Sequence, residues 1–373
     1  MHGKGWSLWL GIVCAVMGIS LDVMAAEPTS ASGDRVPSVE RHLANIRQLT
    51  VGRQNAEAYF SFNGNKLIFQ STNNWMKEGT YAPGKPSESG LGCYQMYVMD
   101  LEKDTVQHVS TGKGATTCGY FFAGDTRVLY SSTHAVGSDC PPKPKRDGAY
   151  RWALDDYDVY AVNLNGQEFQ RLTSSSGYDA EATISPDGKT IVWTSVKDGD
   201  LDLYAMNVDG SNPRRLTDEI GYDGGAFFSP DSKRIVYRAA HPTAPEEIGK
   251  YQELLAQRLV EPGNLEVFVM NADGTGKKQV TANGASNFSP FFHPDGTRII
   301  FSSNVETRGE GGRPSFHLYL VNEDGTGLER LTTEGYFNSF PMFSPDGKRL
   351  VWVSDRHAKE RGEFNVFLAD WVP

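Results

Sequence analysis

Glu57 and Glu181 stand at one equivalent place in two of six similar segments of this chain. The other four segments carry Cys118, Gly225, Ser289 and Phe340 there. Two residues earlier stand Asn55, Thr116, Asp179, Asp223, Asn287 and Asn338. Brought together, Glu57, Asp179, Glu181 and Asp223 would form an acidic cluster able to bind a cation or a basic group. Hard carboxylate oxygens suit Ca²⁺ or Mg²⁺ better than a soft metal. Glu57 and Glu181 are the candidate ligands, and no other cofactor is indicated. Asn, Asp and Thr at a fixed position also have a plainer use, hydrogen-bonding nearby backbone in turns. That use is the expectation for the first set. The second set is uneven, with acids in only two segments, and is the better candidate for binding. His134 and His241 both leave strands towards the same side. A carboxylate pair with a histidine is raw material for acid–base chemistry, yet neither histidine has a partner at a metal-binding spacing.

Something must hold these positions in a ring. Just after each segment comes a ten-residue phrase: FSFNGNKLIF, FFAGDTRVLY, ISPDGKTIVW, FSPDSKRIVY, FHPDGTRIIF and FSPDGKRLVW, six copies in all. Ser-Pro-Asp-Gly suits a tight turn, because Pro pre-sets φ and Gly relieves a left-handed exit. The β-branched and aromatic flanks suit strands. Each phrase is therefore strand, turn, strand. A third strand follows: YQMYVM, YDVYAV, LDLYAM, LEVFVM, FHLYLV or FNVFLA. A fourth ends in a small polar residue, as in FQRLT and PRRLT. Only five fourth strands follow third strands, and the missing one, NIRQLT, lies ahead of the first phrase at 45–50. An amino-terminal strand that completes the last four-stranded unit closes a ring and removes open edges. The expected fold is all-β, a six-bladed β-propeller over residues 42–373.

Residues 185–217, SPDGKTIVWTSVKDGDLDLYAMNVDGSNPRRLT, resemble the PD40 (WD40-like) repeat of TolB-like propellers. The resemblance covers nearly all of 42–373 and implies a periplasmic scaffold with a protein or peptide partner at the cell envelope. Proteins of that family proper carry a further amino-terminal domain, where this chain has only EPTSASGDRVPSVERHLA. Similar propellers also occur fused to serine peptidases, but no G-x-S-x-G elbow occurs in this sequence.

Function is expected where the repeat departs from itself. The shortest step between phrases, Ser185 to Ser229, is 44 residues, and the others are 61, 63, 64 and 51. The excess falls at 73–92, 133–154, 241–264 and 305–314, always between second and third strands. In a propeller these connections share one face, and insertions commonly mark the binding face. Two of them carry the aromatics Trp75, Tyr81, Tyr150 and Trp152. Residues 245–260 read as a helix, with Pro245 at its start and Ile248, Tyr251, Leu254, Leu255 and Leu259 as one stripe.

The first residues have another purpose. Lys4, the run WSLWLGIVCAVMGISL and a small-residue exit at Ala25 or Ala26 describe a secretory signal peptide, residues 1–26, with a linker at 27–41. No later stretch is apolar enough to cross a bilayer. Export to a periplasmic or secreted location, in a bacterial setting, makes a disulfide the expectation among Cys93, Cys118 and Cys140. Three single bridges are possible. With 46 acidic against 36 basic residues, the net charge of −10 argues against nucleic acid. The leading reading is a monomeric, non-catalytic propeller that binds a protein or peptide. The alternatives are a polysaccharide lyase or hydrolase using the acidic mouth, and an accessory propeller of a separate peptidase.

Overall fold

The computed structural model describes residues 40–75, 85–87, 89–144, 150–307 and 314–373. The expected signal segment, the linker before Glu40, and Tyr81 lie outside these residues.

Six four-stranded antiparallel sheets make the six blades of a β-propeller. The chain enters through β1 (Leu43–Gln48). Blade 1 is β2 (Asn55–Phe60), β3 (Lys66–Asn73), β4 (Gly90–Asp100) and β5 (Thr105–His108). Blade 2 is β6 (Thr116–Phe121), β7 (Arg127–Ser132), β9 (Asp158–Asn163) and β10 (Gln170–Arg171), with β8 (Trp152–Ala153) in its insertion. Blade 3 is β11 (Asp179–Ile184), β12 (Thr190–Ser195), β13 (Asp202–Asn207) and β14 (Arg214–Arg215). Blade 4 is β15 (Tyr222–Phe228), β16 (Arg234–Ala240), β18 (Glu266–Asn271) and β19 (Lys278–Gln279), with α1 (Pro245–Ala256) and β17 (Leu259–Val260) inserted. Blade 5 is β20 (Asn287–Phe292), β21 (Arg298–Ser303), β22 (His317–Asn322) and β23 (Glu329–Arg330). Blade 6 is β24 (Asn338–Phe343), β25 (Arg349–Ser354) and β26 (Asn365–Trp371). Strand β1 completes it, pairing antiparallel with β26 from Leu43↔Trp371 to Gln48↔Phe367. The displaced fourth strand thus closes the ring.

The repeated phrase does mechanical work. In blade 3 the Gly188 amide donates to the Ser185 carbonyl at 2.8 Å, with Gly188 at φ +71°. Ser185 Oγ donates to Asp187 Oδ1 at 2.6 Å, and that oxygen also accepts the Lys189 amide. Each blade packs one aromatic pair across its second and third strands, from Trp193–Tyr204 at 5.5 Å to Tyr130–Tyr160 at 6.4 Å. The small polar ends of the fourth strands also have partners. Thr50, Thr173, Thr217, Thr281 and Thr332 each accept the amide that opens a third strand or lies beside its start.

The insertions of blades 2 and 4 meet above blade 3, whose own connection is shortest. Strand β8 pairs with β17 through Leu259↔Ala153 and Val260↔Trp152. Helix α1 stops at Ala256, four residues before the expected end, because Arg258 turns left-handed at φ +58° and the chain becomes strand. Leu254 is buried, Leu255 packs against the cluster that holds Leu154, Leu201 and Val260, and Tyr251 donates to the Gly221 carbonyl at 2.7 Å. Cys93 and Cys140 form the disulfide, joining β4 to the blade 2 insertion, and Cys118 is free.

Candidate functional site

Two residues opposing one is the signature of a β-bulge, and every innermost strand has one. In blade 1 Ala56 faces Gln70 while Tyr59 faces Ile68, so Glu57 and Ala58 share one partner position. The same shift recurs in the other five blades. The bulged residues are Glu57, Cys118, Glu181, Gly225, Ser289 and Phe340, all at φ between +51° and +61°. Left-handed backbone costs a non-glycine residue about 1 kcal/mol or more. Residues two apart in a plain strand share a face. The bulge separates them here.

The first polar set therefore turns into the seams between blades. Asn55, Thr116, Asp179, Asp223, Asn287 and Asn338 are at most 1% exposed. Asn55 Nδ2 donates to the Phe364 carbonyl at 3.0 Å, Asn287 Nδ2 to Leu265 O at 3.0 Å, and Thr116 Oγ1 to Tyr94 O at 3.2 Å. Each such bond reaches the third strand of the preceding blade or the residue just before it, rather than only the residue's own turn. Asp179 accepts Trp193 Nε1 at 3.1 Å, and Asp223 pairs with His241 Nε2 at 3.0 Å. Burial alone would lower the His241 pKa, but the Asp223 carboxylate raises it overall. His134 bonds Ser132 Oγ, and its ring lies tilted against that of Tyr160 with centroids 4.2 Å apart. Of the six and the two histidines, Thr116 alone lines the central cavity.

The second set does line it. All six bulged residues face one cavity of about 920 Å³ on the decorated face. Its cap includes Trp152 and Ala153 of β8 and the Glu261–Gly263 turn after β17. Tyr150 and Tyr336, 67% and 59% exposed, stand at its edge. Trp75, by contrast, is buried against Tyr97 and belongs to the core.

At blade 4 the ring position is Gly225, and Arg238 from β16 occupies its place. A Cβ on Gly225 would lie 2.1 Å from Arg238 Nη1. The guanidinium pairs with Glu181, donates to Tyr222 Oη at 2.6 Å and lies 5.3 Å from the Trp152 ring. Glu181 also accepts Thr194 Oγ1 at 2.8 Å, the Gly225 amide at 2.9 Å and Tyr222 Oη at 3.3 Å. Its oxygens are thus fully engaged by the protein.

Glu57 is the opposite case. Its Oε2 is buried with no hydrogen-bond partner. Burial pushes its carboxyl up to about 7, and the Glu181 charge adds to this against the pull of Cys118 and Arg238. Burial likewise pushes the Cys118 thiol well above its usual range, helped by Glu57 and Glu181. Among the described residues no three His, Cys, Asp or Glu side chains are gathered to hold one metal ion. The four carboxylates grouped by sequence are in fact divided between seams and cavity.

Across from this polar side the wall is aromatic. Phe288 meets Phe316 at 5.1 Å, Phe337 meets Phe364 at 4.9 Å, and Phe340 packs on Phe337 at 6.4 Å. Gln54 forms a parallel bridge with Phe364, which brings the wall up to the strand that carries Glu57.

Residues 153–252 and 251–370 match the TolB beta propeller domain family, PD40. The chain belongs to this family. The Tol-Pal system protein TolB of Helicobacter hepaticus is 28% identical over 111 residues, 29% of this chain and 25% of that protein. Dipeptidyl-peptidase 5 of Porphyromonas gingivalis is 31% identical over 90 residues, 24% of this chain and 12% of that protein. The chain thus spans a quarter or less of the length of either relative. A TolB-type structure from Agrobacterium tumefaciens superposes with a TM-score of 0.56 at 16% identity, covering 88% of this chain and 97% of that one. That likeness is one of fold.

Within this TolB-type propeller, Arg238 is the site residue that sequence reasoning missed. The signal was present. Aligned second strands read KLIFQS, RVLYSS, TIVWTS, RIVYRA, RIIFSS and RLVWVS, and only blade 4 places a charge at the fifth position. The first strand beside it, YDGGAFF, supplies two glycines where a guanidinium needs room.

Proposed function

We propose that this chain is an exported, periplasmic or secreted propeller of the cell envelope that binds a protein partner without catalysis. In this reading the partner's peptide segment enters the cavity on the decorated face. The observation that carries it is convergence. All six uneven ring positions, the β8–β17 cap and two exposed tyrosines meet at one cavity. Its volume of about 920 Å³ lies near the top of the ~300–1,000 Å³ range of ligand sites, room for a few residues of extended chain. Exposed tyrosines at the rim and aromatics within are the residue types that anchor interfaces. The tie to TolB-type proteins supports the same reading. Binding is favoured over acid–base chemistry because Glu181 is fully occupied by Arg238 and three other donors.

The test is selection of a displayed peptide library on the purified protein. A Cβ on Gly263 meets open space, so a side chain can start there, and Gly263→Trp places a bulky ring at the cavity mouth. Wild type should enrich a consensus peptide that Gly263→Trp no longer binds. No enrichment, or a peptide bound equally by both, would overturn the proposal.

A further inference from the structure

Among the described residues, five lining the cavity other than tyrosine and cysteine are ionisable: Glu57, Arg151, Glu181, Arg238 and Glu261. Four of them form two pairs. Arg238 holds Glu181, and Arg151 Nε holds Glu261 Oε1 at 3.2 Å, with Lys250 on the other Glu261 oxygen. Glu57 remains. The groups around it are the Cys118 thiol, the Tyr59, Tyr94 and Tyr157 hydroxyls and the Glu181–Arg238 pair. None of them gives Glu57 Oε2 a hydrogen bond.

The fold does not explain this carboxyl. The bulge accepts Cys118, Gly225, Ser289 and Phe340 at the same left-handed position, so no backbone requirement selects Glu. A buried carboxyl oxygen left without a hydrogen bond costs stability, and such groups concentrate at functional sites. The phenylalanine wall begins beside it, at the Gln54–Phe364 bridge. One ligand can therefore touch both.

We infer that this cavity takes an organic cation with an apolar body: its ammonium or guanidinium group pairs with Glu57 and its apolar part lies against Phe288, Phe316, Phe337 and Phe364. In a peptide this is a basic residue, or the amino terminus, beside an apolar residue. The inference rests on the cavity reading above. A bare divalent ion fits less well, because it asks for six or more oxygens, whereas among the described lining residues Glu57 is the one carboxyl outside an ion pair and the adjoining wall is apolar.

The probes are phenethylamine, a cation at neutral pH, and 2-phenylethanol, its neutral counterpart of equal size. Both are titrated into the full mature protein at pH 8 by ligand-observed NMR. The amine should bind about tenfold or more tightly than the alcohol, as expected of a charge-assisted contact. Glu57→Gln, checked for native near-UV circular dichroism, should reduce the amine to the level of the alcohol. Equal binding of the two probes to wild type overturns the inference without needing the variant. So does amine binding unchanged in Glu57→Gln, or displacement of the amine by stoichiometric Ca²⁺, or no binding of either probe. If both probes bind equally and Gly263→Trp blocks them, the cavity reading stands and only the cation assignment fails. If neither binds and peptide selection also fails, the cavity reading fails with it.

Discussion

Replacing Gly225 by Ala should disable the Arg238 seat, and the cost can be worked from the structure. The new Cβ would lie 2.1 Å from Nη1 and 2.7 Å from Cζ of Arg238. A clash with the end of a long side chain is ordinarily cheap, because the chain swings away. This guanidinium cannot swing without loss. Its side chain is 8% exposed, is paired with a Glu181 side chain 12% exposed, and donates twice to Tyr222 Oη. Moving it breaks a buried ion pair, which costs about 3–5 kcal/mol when one partner is removed. Thr194 and the Gly225 amide still serve Glu181, so the lower end, about 3 kcal/mol, applies. The left-handed backbone, φ +61°, adds about 1 kcal/mol for alanine. Gly225→Ala should therefore cost about 4 kcal/mol in wild type. In an Arg238→Met background the clash is gone, and the same substitution should cost only about 1 kcal/mol. Guanidinium chloride denaturation followed by tryptophan fluorescence gives all four corners of the double-mutant cycle. A cost of under about 2 kcal/mol in wild type, or the same cost in both backgrounds, would refute the idea that Arg238 fills the missing side chain of blade 4.

Two further outcomes are expected. The Glu57 carboxyl has its pKa raised from 4.5 to about 7, so the folded state holds a proton that the unfolded chain releases. Its penalty is absent below about pH 4.5, grows as pH rises towards 7 and is complete above it, reaching up to about 3 kcal/mol. Denaturation at pH 4, 6 and 8 should show Glu57→Gln gaining on wild type by that amount, and a gap that is constant or narrows with rising pH would contradict the burial argument. The Cys93–Cys140 bridge spans 47 residues. Its loss in Cys93→Ser/Cys140→Ser should cost about 2–4 kcal/mol by loop-closure entropy, and an unshifted denaturation midpoint would show that the bridge constrains nothing.

The architecture was legible in the sequence because its determinants are local. Alternating strands, Pro-Asp-Gly turns and a fourth strand displaced to the amino terminus are each written within ten residues. The ring of bulged residues was legible as an alignment column, but its geometry was not. Asn55 and Glu57 stand two apart and would share a face in a regular strand; only the bulge sends Asn55 into the seam and Glu57 into the cavity. The disulfide partner was open because three cysteines leave three pairings, and the choice depends on where the blade 2 insertion folds back. Arg238 was not legible from the first strands alone, because its meaning lies in the second strand and in Gly224-Gly225 together.

The contrast between the two ring glutamates carries the functional argument. Glu181 is what a structural carboxylate looks like in this fold: an arginine placed opposite, a glycine opened to admit it, and three further donors. Glu57 occupies the equivalent backbone position two blades away round the ring, yet the neighbouring elements supply no comparable set of donors. The residue of β3 that corresponds to Arg238 is Gln70, and its Oε1 accepts the Cys118 amide at 3.1 Å, while Glu57 Oε2 is left without a hydrogen bond. A fold that answers a buried acid with four donors in one blade, and in another gives it Cys118 while leaving Oε2 without a hydrogen bond, has its missing donor elsewhere. A ligand that brings its own positive charge is the partner that completes the second site in the same chemical terms as the first.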